Sequence, residues 1–324
     1  MNRRNGFIAA GAIALLVVIV PFLHNGYATG TMVLIAQNAI AALGLGLLFG
    51  TARVVSVAQA SFVGLGAYAA AATSSRGLDP WLSIPIALIF VAAVAAIVGW
   101  PVLRLRGHYI TLATLALGYI AMVVFNEATA FTGGPSGFGT FPPLHLAGHP
   151  LTGDIPAYVL GWVAVAVCAA IVYGIRNSSR GRALRAIAAS EAAAAAMGIE
   201  VRTRKLEAFV LSAVFAGLSG ALYAYYVGYI SPVSFSFDQS IYFIIMVVLG
   251  GSATTLGPIV GSALFSLISA ALTQLASVVF PLSAQSAAAA LQVIAFGAIL
   301  IGVILFLPNG LVNAIAARLG RSAA

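Results

Sequence analysis

The chain has 324 residues, 62% of them hydrophobic and 7% charged, with a net charge of +8 and a mean hydropathy of +1.08. A water-soluble domain carries about a quarter of its residues as charges, so this composition excludes a soluble fold and makes lipid the main solvent. The basic residues lie between hydrophobic stretches, which points to orientation in a membrane rather than to a nucleic-acid partner.

At the N-terminus Arg3 and Arg4 precede an apolar stretch over 7–23, as a signal peptide would have it. His24-Asn25-Gly26-Tyr27 offers no small-x-small cleavage site, so a retained first helix is expected. A spanning helix needs about 20 mostly apolar residues. Such segments follow over 32–49, 57–73, 84–103, 110–129 and 157–175. A polar, basic stretch over 176–205 comes next, then spans over 206–227 and 288–307 on either side of a glycine-interrupted region, 237–280.

With the N-terminus inside, Arg3, Arg4, Arg53, Arg104, Arg106, Arg176, Arg180, Arg182, Arg185, Arg202, Arg204, Lys205, Arg318 and Arg321 all fall on the cytoplasmic side. Only Arg76 falls outside, with the acids Asp79, Asp154 and Asp238. This bias sets the orientation. Since Lys205 and Arg318 share a side, the region 237–280 must cross twice, with its break at Gly250-Gly251 through Gly257-Pro258. The expected fold is an all-α, polytopic helix bundle of ten spans, eight being the alternative, with both termini cytoplasmic. It forms a single transmembrane domain over 1–324 with a cytoplasmic loop at 176–205. Gly46 with Gly50 and Gly257 with Gly261 are spaced for close helix contact, although glycine is common in membrane helices in any case.

The chemistry excludes more than it offers. Ionisable groups at mid-membrane depth mark proton- and ion-driven carriers. Here Glu127 and Asp238 lie near the outer interface and His108 near the inner one. The only lysine, Lys205, follows Val201-Arg202-Thr203-Arg204, so there is no phosphate-binding loop. No catalytic constellation is found, and no cofactor is called for. His145 and His149 with Asp154 are a weak metal set in an outer loop and read better as solvated residues. Cys168 has no cysteine to pair with and reads as a small buried hydrophobe. What remains is facilitated diffusion, or transport powered by another subunit.

The stretch 176–205 is the most informative polar segment. Arg182 and Arg185 share one helical face, and Leu184 and Ile187 another. Ser190 is placed as an N-cap, Glu191 suits the positive end of the following helix, and Gly198 is a C-terminal stop. Two short helices are expected, either lying on anionic headgroups or docking to a cytoplasmic partner. In the docking case Leu184 and Ile187 would fill the partner's groove, with Glu191 and the arginines at its rim.

Several distinctive blocks run from Ser56-Val57-Ala58-Gln59-Ala60-Ser61-Phe62 through Gly64-Leu65-Gly66-Ala67-Tyr68 to Leu103-Arg104-Leu105-Arg106-Gly107 and Thr132-Gly133-Gly134-Pro135. Ser179-Arg180-Gly181-Arg182-Ala183-Leu184-Arg185 follows, with Glu191 to Gly198, then Phe215-Ala216-Gly217-Leu218-Ser219-Gly220, Val248-Leu249-Gly250-Gly251 and Leu307-Pro308-Asn309-Gly310. Together, in this order, they resemble the LivM-like permease subunits of branched-chain amino acid ABC importers. Departures are Ala58 and Arg53, where the family commonly has Gly, the turn Ser252 to Thr255, and Gly198, one position late in the permease loop pattern. The resemblance implies a bacterial inner-membrane permease that takes up leucine, isoleucine and valine. It implies a second, homologous permease, two cytoplasmic ABC ATPases and a periplasmic binding protein as partners. On this reading Arg180, Gly181, Arg182, Leu184, Arg185, Ile187, Glu191 and Gly198 form the ATPase-coupling loop. Related permeases for urea, amides or other small solutes, and an autonomous channel, are the alternatives. Gln37, Asn38, Gln59, Tyr119, Gln274 and Gln292 are polar residues at span depth that would either line a path or bond helix to helix.

Overall fold

The computed structural model describes residues 26–105, 107–139, 141–146, 149–151 and 153–279, with 291, 293–299, 301–302 and 311–312 beyond them. The first predicted span, 7–23, and both termini lie outside these residues. So does most of 303–324, while the described part of the last predicted span is helical.

Ten helices among the described residues frame the fold. They are α1 (Gly26–Ala52), α2 (Gln59–Ser74), α3 (Pro80–Val102), α4 (His108–Glu127), α5 (Asp154–Asn177), α6 (Ser179–Ala189), α7 (Glu191–Ala196), α8 (Val201–Val227), α9 (Phe237–Gly250) and α10 (Gly257–Val279). Seven segments are long and apolar enough to cross a membrane among the described residues. Between α4 and α5 lie a single turn, Thr129–Thr132, and a small hairpin of β1 (His145–Leu146) and β2 (His149–Pro150).

The centre of the bundle is α8 packed on α1, α2 and α3, with α5 and α10 against α1. Close approach is what the small residues permit. A Cβ at Gly66 would overlap the Gly217 backbone, and one at Gly220 would overlap the Val63 carbonyl, so α2 and α8 touch backbone to backbone. The edge-to-face pair Phe62–Phe209, 5.6 Å between centroids, fills the space beside that crossing. Both glycine pairs read from the sequence are used. Gly46 and Gly50 face Pro258 and Ser252, while Gly257 and Gly261 abut the carbonyls of Gly251 and Met246.

α2 has only 16 residues, about 24 Å at 1.5 Å per residue, short of a hydrocarbon core of about 30 Å. Its start is buried among its neighbours and need not meet water, while its end runs into the exposed turn 75–79. Its start has no local side-chain cap. The Val57 N–H donates to Thr114 Oγ1 on α4 at 3.1 Å, and the Ala60 N–H to Ser240 Oγ on α9 at 3.0 Å. Irregular backbone inside a bundle must be satisfied by protein, and here distant helices supply the caps.

Within 237–279 the chain forms two helices, parted at the predicted glycine break. α9 and α10 are joined by a turn through Gly251, at φ 99°. With 14 residues α9 is short, and the preceding turn Pro232–Phe235 extends the apolar run to Pro232–Gly250.

Contacts sort the loops into two ends. At one, Phe138 and Ile230 exchange backbone hydrogen bonds of 2.7 and 2.9 Å, and His145 Nε2 lies 3.4 Å from Asp79 Oδ2. At the other, Arg202 Nη2 donates to the Trp100 carbonyl at 2.8 Å with its guanidinium over the indole ring, and Arg176 reaches Ser252. Apart from Arg76, the described arginines and Lys205 belong to this second, basic end.

Candidate functional site

The feature at the basic end is the helix pair α6–α7, built from the end of α5. The Ser178 backbone is extended and its Oγ accepts from the Gly181 N–H, which starts α6. The last carbonyls of α5 have no partner in their own helix. Arginines of α6 bind them: Arg185 Nη1 donates to the Arg176 carbonyl at 2.7 Å and Arg182 Nη1 to that of Asn177 at 3.3 Å. Cations at a helix C-terminus also meet the negative end of its dipole. Gly181 lies against the Ile175 and Arg176 carbonyls, leaving no room for a side chain. Arg180 is exposed.

α7 starts and stops as its sequence predicts. The Ala193 N–H donates to Ser190 Oγ at 3.2 Å. Gly198 at φ 78° closes the helix, with the Ile199 N–H on the Ala194 carbonyl at 3.0 Å. Glu191 sits in the first turn and forms an ion pair with Lys205, whose side chain is buried. Sequence reasoning missed this use of the only lysine.

The expectation that Leu184 and Ile187 face outward is overturned. They are 4% and 2% exposed, turned into the protein, and Leu184 is part of the main core. The apolar stripe of α6 holds the projection to the bundle. The side chain presented outward is Met197, 82% exposed, beside the exposed Ala192, Ala193, Ala195 and Ala196. The alternation of burial along 184–197 could not be assigned from the sequence, since both the stripe and Met197 are apolar.

The polar residues at span depth do not converge. Gln59 is 1% exposed and ties three helices: its Nε2 donates to the Ala41 carbonyl at 2.9 Å, and its Oε1 accepts from Ser212 Oγ at 3.3 Å. That is helix-to-helix bonding. Gln37 is buried beside a cavity of about 260 Å³ at the less basic end, walled by Phe141, Leu144, Leu160, Leu222 and Tyr226. Asn38 is half-buried, Tyr119 is exposed and stacks on Phe237 at 5.5 Å, and Gln274 is exposed. Gln292 lies outside the described residues.

Near that cavity Asp154 accepts from Tyr226 Oη at 2.9 Å, while His145 pairs with Asp79, so His145 and Asp154 serve separate contacts. Cys168 is a buried free thiol.

A sequence profile described as the permease component of the branched-chain amino acid transport system matches residues 27–306. The chain belongs to this permease family. It is 31% identical over 278 residues to the Escherichia coli K12 high-affinity branched-chain amino acid transport system permease protein LivM, covering 78% of this chain and 65% of that protein. A probable LivM of Methanocaldococcus jannaschii is 24% identical over 237 residues, with 71% and 67% covered. A probable LivH from the same organism is 27% identical over 192 residues, with 56% and 60% covered. The matched region thus spans just under two thirds of the bacterial LivM proteins. No solved structure gives a significant match.

Proposed function

We propose that this permease is the membrane-spanning subunit of an ATP-driven ABC importer that takes up leucine, isoleucine and valine. The relatives are named for branched-chain amino acid transport, and this reading carries that solute class to the present chain. A second, homologous permease completes the pathway, as the likeness to both LivM and LivH proteins suggests. Two cytoplasmic ATPases supply the energy, because the chain has no phosphate-binding loop, and a periplasmic binding protein delivers the solute. The protein is multi-pass in the bacterial inner membrane. It has ten spans, both termini and the basic end in the cytoplasm, and 132–156 outside.

The observation that carries the coupling role is the α6–α7 projection. It is anchored by Leu184, Ile187 and the Glu191–Lys205 pair, and it offers Met197 and an alanine surface to a partner. Glycine at 181 and 198 and the arginines at 180, 182 and 185 shape and orient it. Bilayer contact alone would not need a rigid, doubly capped tip.

Met197→Asp places an unpaired charge in that interface. It is expected to weaken ATPase association by about 3 kcal/mol, roughly 100-fold, measured by co-purification and by binding-protein-stimulated ATP hydrolysis. Full association and stimulation in this variant would refute the docking role. The purified chain alone in liposomes is expected to give no leucine uptake. Specific flux would favour a facilitator, and flux of urea but not leucine through the complete complex would reassign the solute.

A further inference from the structure

Arg176 is the last basic residue of α5 and is 9% exposed. Among the described residues no carboxylate pairs with it. Its Nη2 donates instead to two backbone carbonyls, Ser252 at 2.6 Å in the α9–α10 turn and Gly46 at 3.1 Å on α1. Room for it exists because residue 50 is glycine: a Cβ there would sit 3.0 Å from Nη2 and overlap the Ser252 carbonyl. The main chain of the same residue is held from the other side, where Arg185 of α6 donates to the Arg176 carbonyl at 2.7 Å. Gly181 rests on that carbonyl as well. One residue thus connects the projection to the interior of the bundle.

The element it reaches is built to move as a unit. A Cβ at Gly250 would overlap the Gly257 carbonyl, and one at Gly261 the Met246 carbonyl, so α9 and α10 are locked backbone to backbone beside the turn. The turn itself, Gly251-Ser252-Ala253-Thr254-Thr255-Leu256, carries Gly251 at φ 99°. Displacing Ser252 therefore displaces a helix pair rather than a loop. Two-state coupling needs a contiguous contact of this kind between the perturbed site and the element that responds.

We propose that Arg176 is a positioning residue that transmits displacement of the α6–α7 projection to the α9–α10 turn. This inference rests on the importer reading, in which ATPases move that projection. Arg176→Met removes the donors while keeping most of the volume, and leaves the Gly46 and Ser252 carbonyls without this partner. Arg176→Lys keeps a charge and enough donors on one nitrogen to meet both carbonyls.

The test uses the complete complex in nanodiscs, with Cys168→Ser and a single spin-labelled cysteine either at Ala189 on α6 or at Ala253 in the turn, both exposed. Spectra are compared without nucleotide and with ATP and vanadate. In the otherwise native protein both labels are expected to respond. In Arg176→Met the response at 189 persists, while that at 253 and the leucine uptake rate fall about five-fold or more. Arg176→Lys restores most of both. Should Arg176→Met not assemble, Arg176→Leu, which also lacks donors, is measured the same way. An undiminished response at 253 in either variant overturns the proposal, as does a label at 253 that ignores nucleotide in the native complex while 189 responds. Failure of the native permease to hold ATPases would sink the importer reading instead, and is read separately by co-purification.

Discussion

The central helices α1 and α8 and the outer helix α3 differ in a way that hydropathy does not foretell. α3 is the most apolar of the candidate spans among the described residues, yet only 33% of its most apolar stretch is buried within the chain. α8 is among the least apolar, yet 72% of its stretch is buried, as is 78% of α1's. In a membrane the outside is as oily as the inside, so the exposed helix must be apolar all round. The buried helix is free to carry Gly, Ser and Gln, whose value lies in close approach and hydrogen bonding. Exposed Ile89, Ile97 and Trp100 on α3 contrast with Ser212, Gly217, Ser219 and Gly220 on α8.

This contrast yields tests of decreasing size. Gly220→Val should be the most damaging, because even a Cβ overlaps the Val63 carbonyl. A cost above about 4 kcal/mol is expected, seen as loss of monodisperse protein in size-exclusion chromatography; normal yield would show that the α2–α8 crossing is looser than described. Gln59→Leu leaves Ser212 Oγ without its acceptor and should cost about 1 kcal/mol in detergent unfolding, the scale of interhelical hydrogen bonds in membranes. Ser240→Ala removes the cap on the Ala60 N–H and should cost about the same. Ile97→Ala, at a side chain 73% exposed, should change stability by less than about 0.5 kcal/mol. A larger loss would place that face in a protein interface instead of lipid.

Arg53 offers a test with the opposite sign. It stands at φ 51° in the turn after α1, where the resembling family commonly has Gly. Left-handed backbone costs a side-chain-bearing residue about 1–2 kcal/mol, partly offset by the greater freedom of glycine in the unfolded chain. Arg53→Gly is therefore expected to gain up to about 1 kcal/mol in the same unfolding assay. A destabilised variant would mean that the arginine makes a contact of its own.

Legible in the sequence were the helical class, most of the apolar helices from 32 onward, the break at Gly250-Gly251 that parts α9 from α10, the caps Ser190 and Gly198, and membership of the permease family. These follow from local signals: apolar length, charge placement, capping residues and ordered motifs, each read within a few residues. Which apolar faces turn inward was settled only when the helices packed. Packing buried Leu184 and Ile187 and left Met197 out, it gave Gln59 to helix bonding, and it brought Ser240 to the Ala60 N–H across 180 residues. It also joined Arg176 to Gly46 and Ser252, 130 and 76 residues away. A hydrogen bond between distant segments leaves no periodic trace in either one. Where every face is apolar, the choice between lipid and protein is made by shape and by polar groups that must find partners, and both are set only when the helices meet.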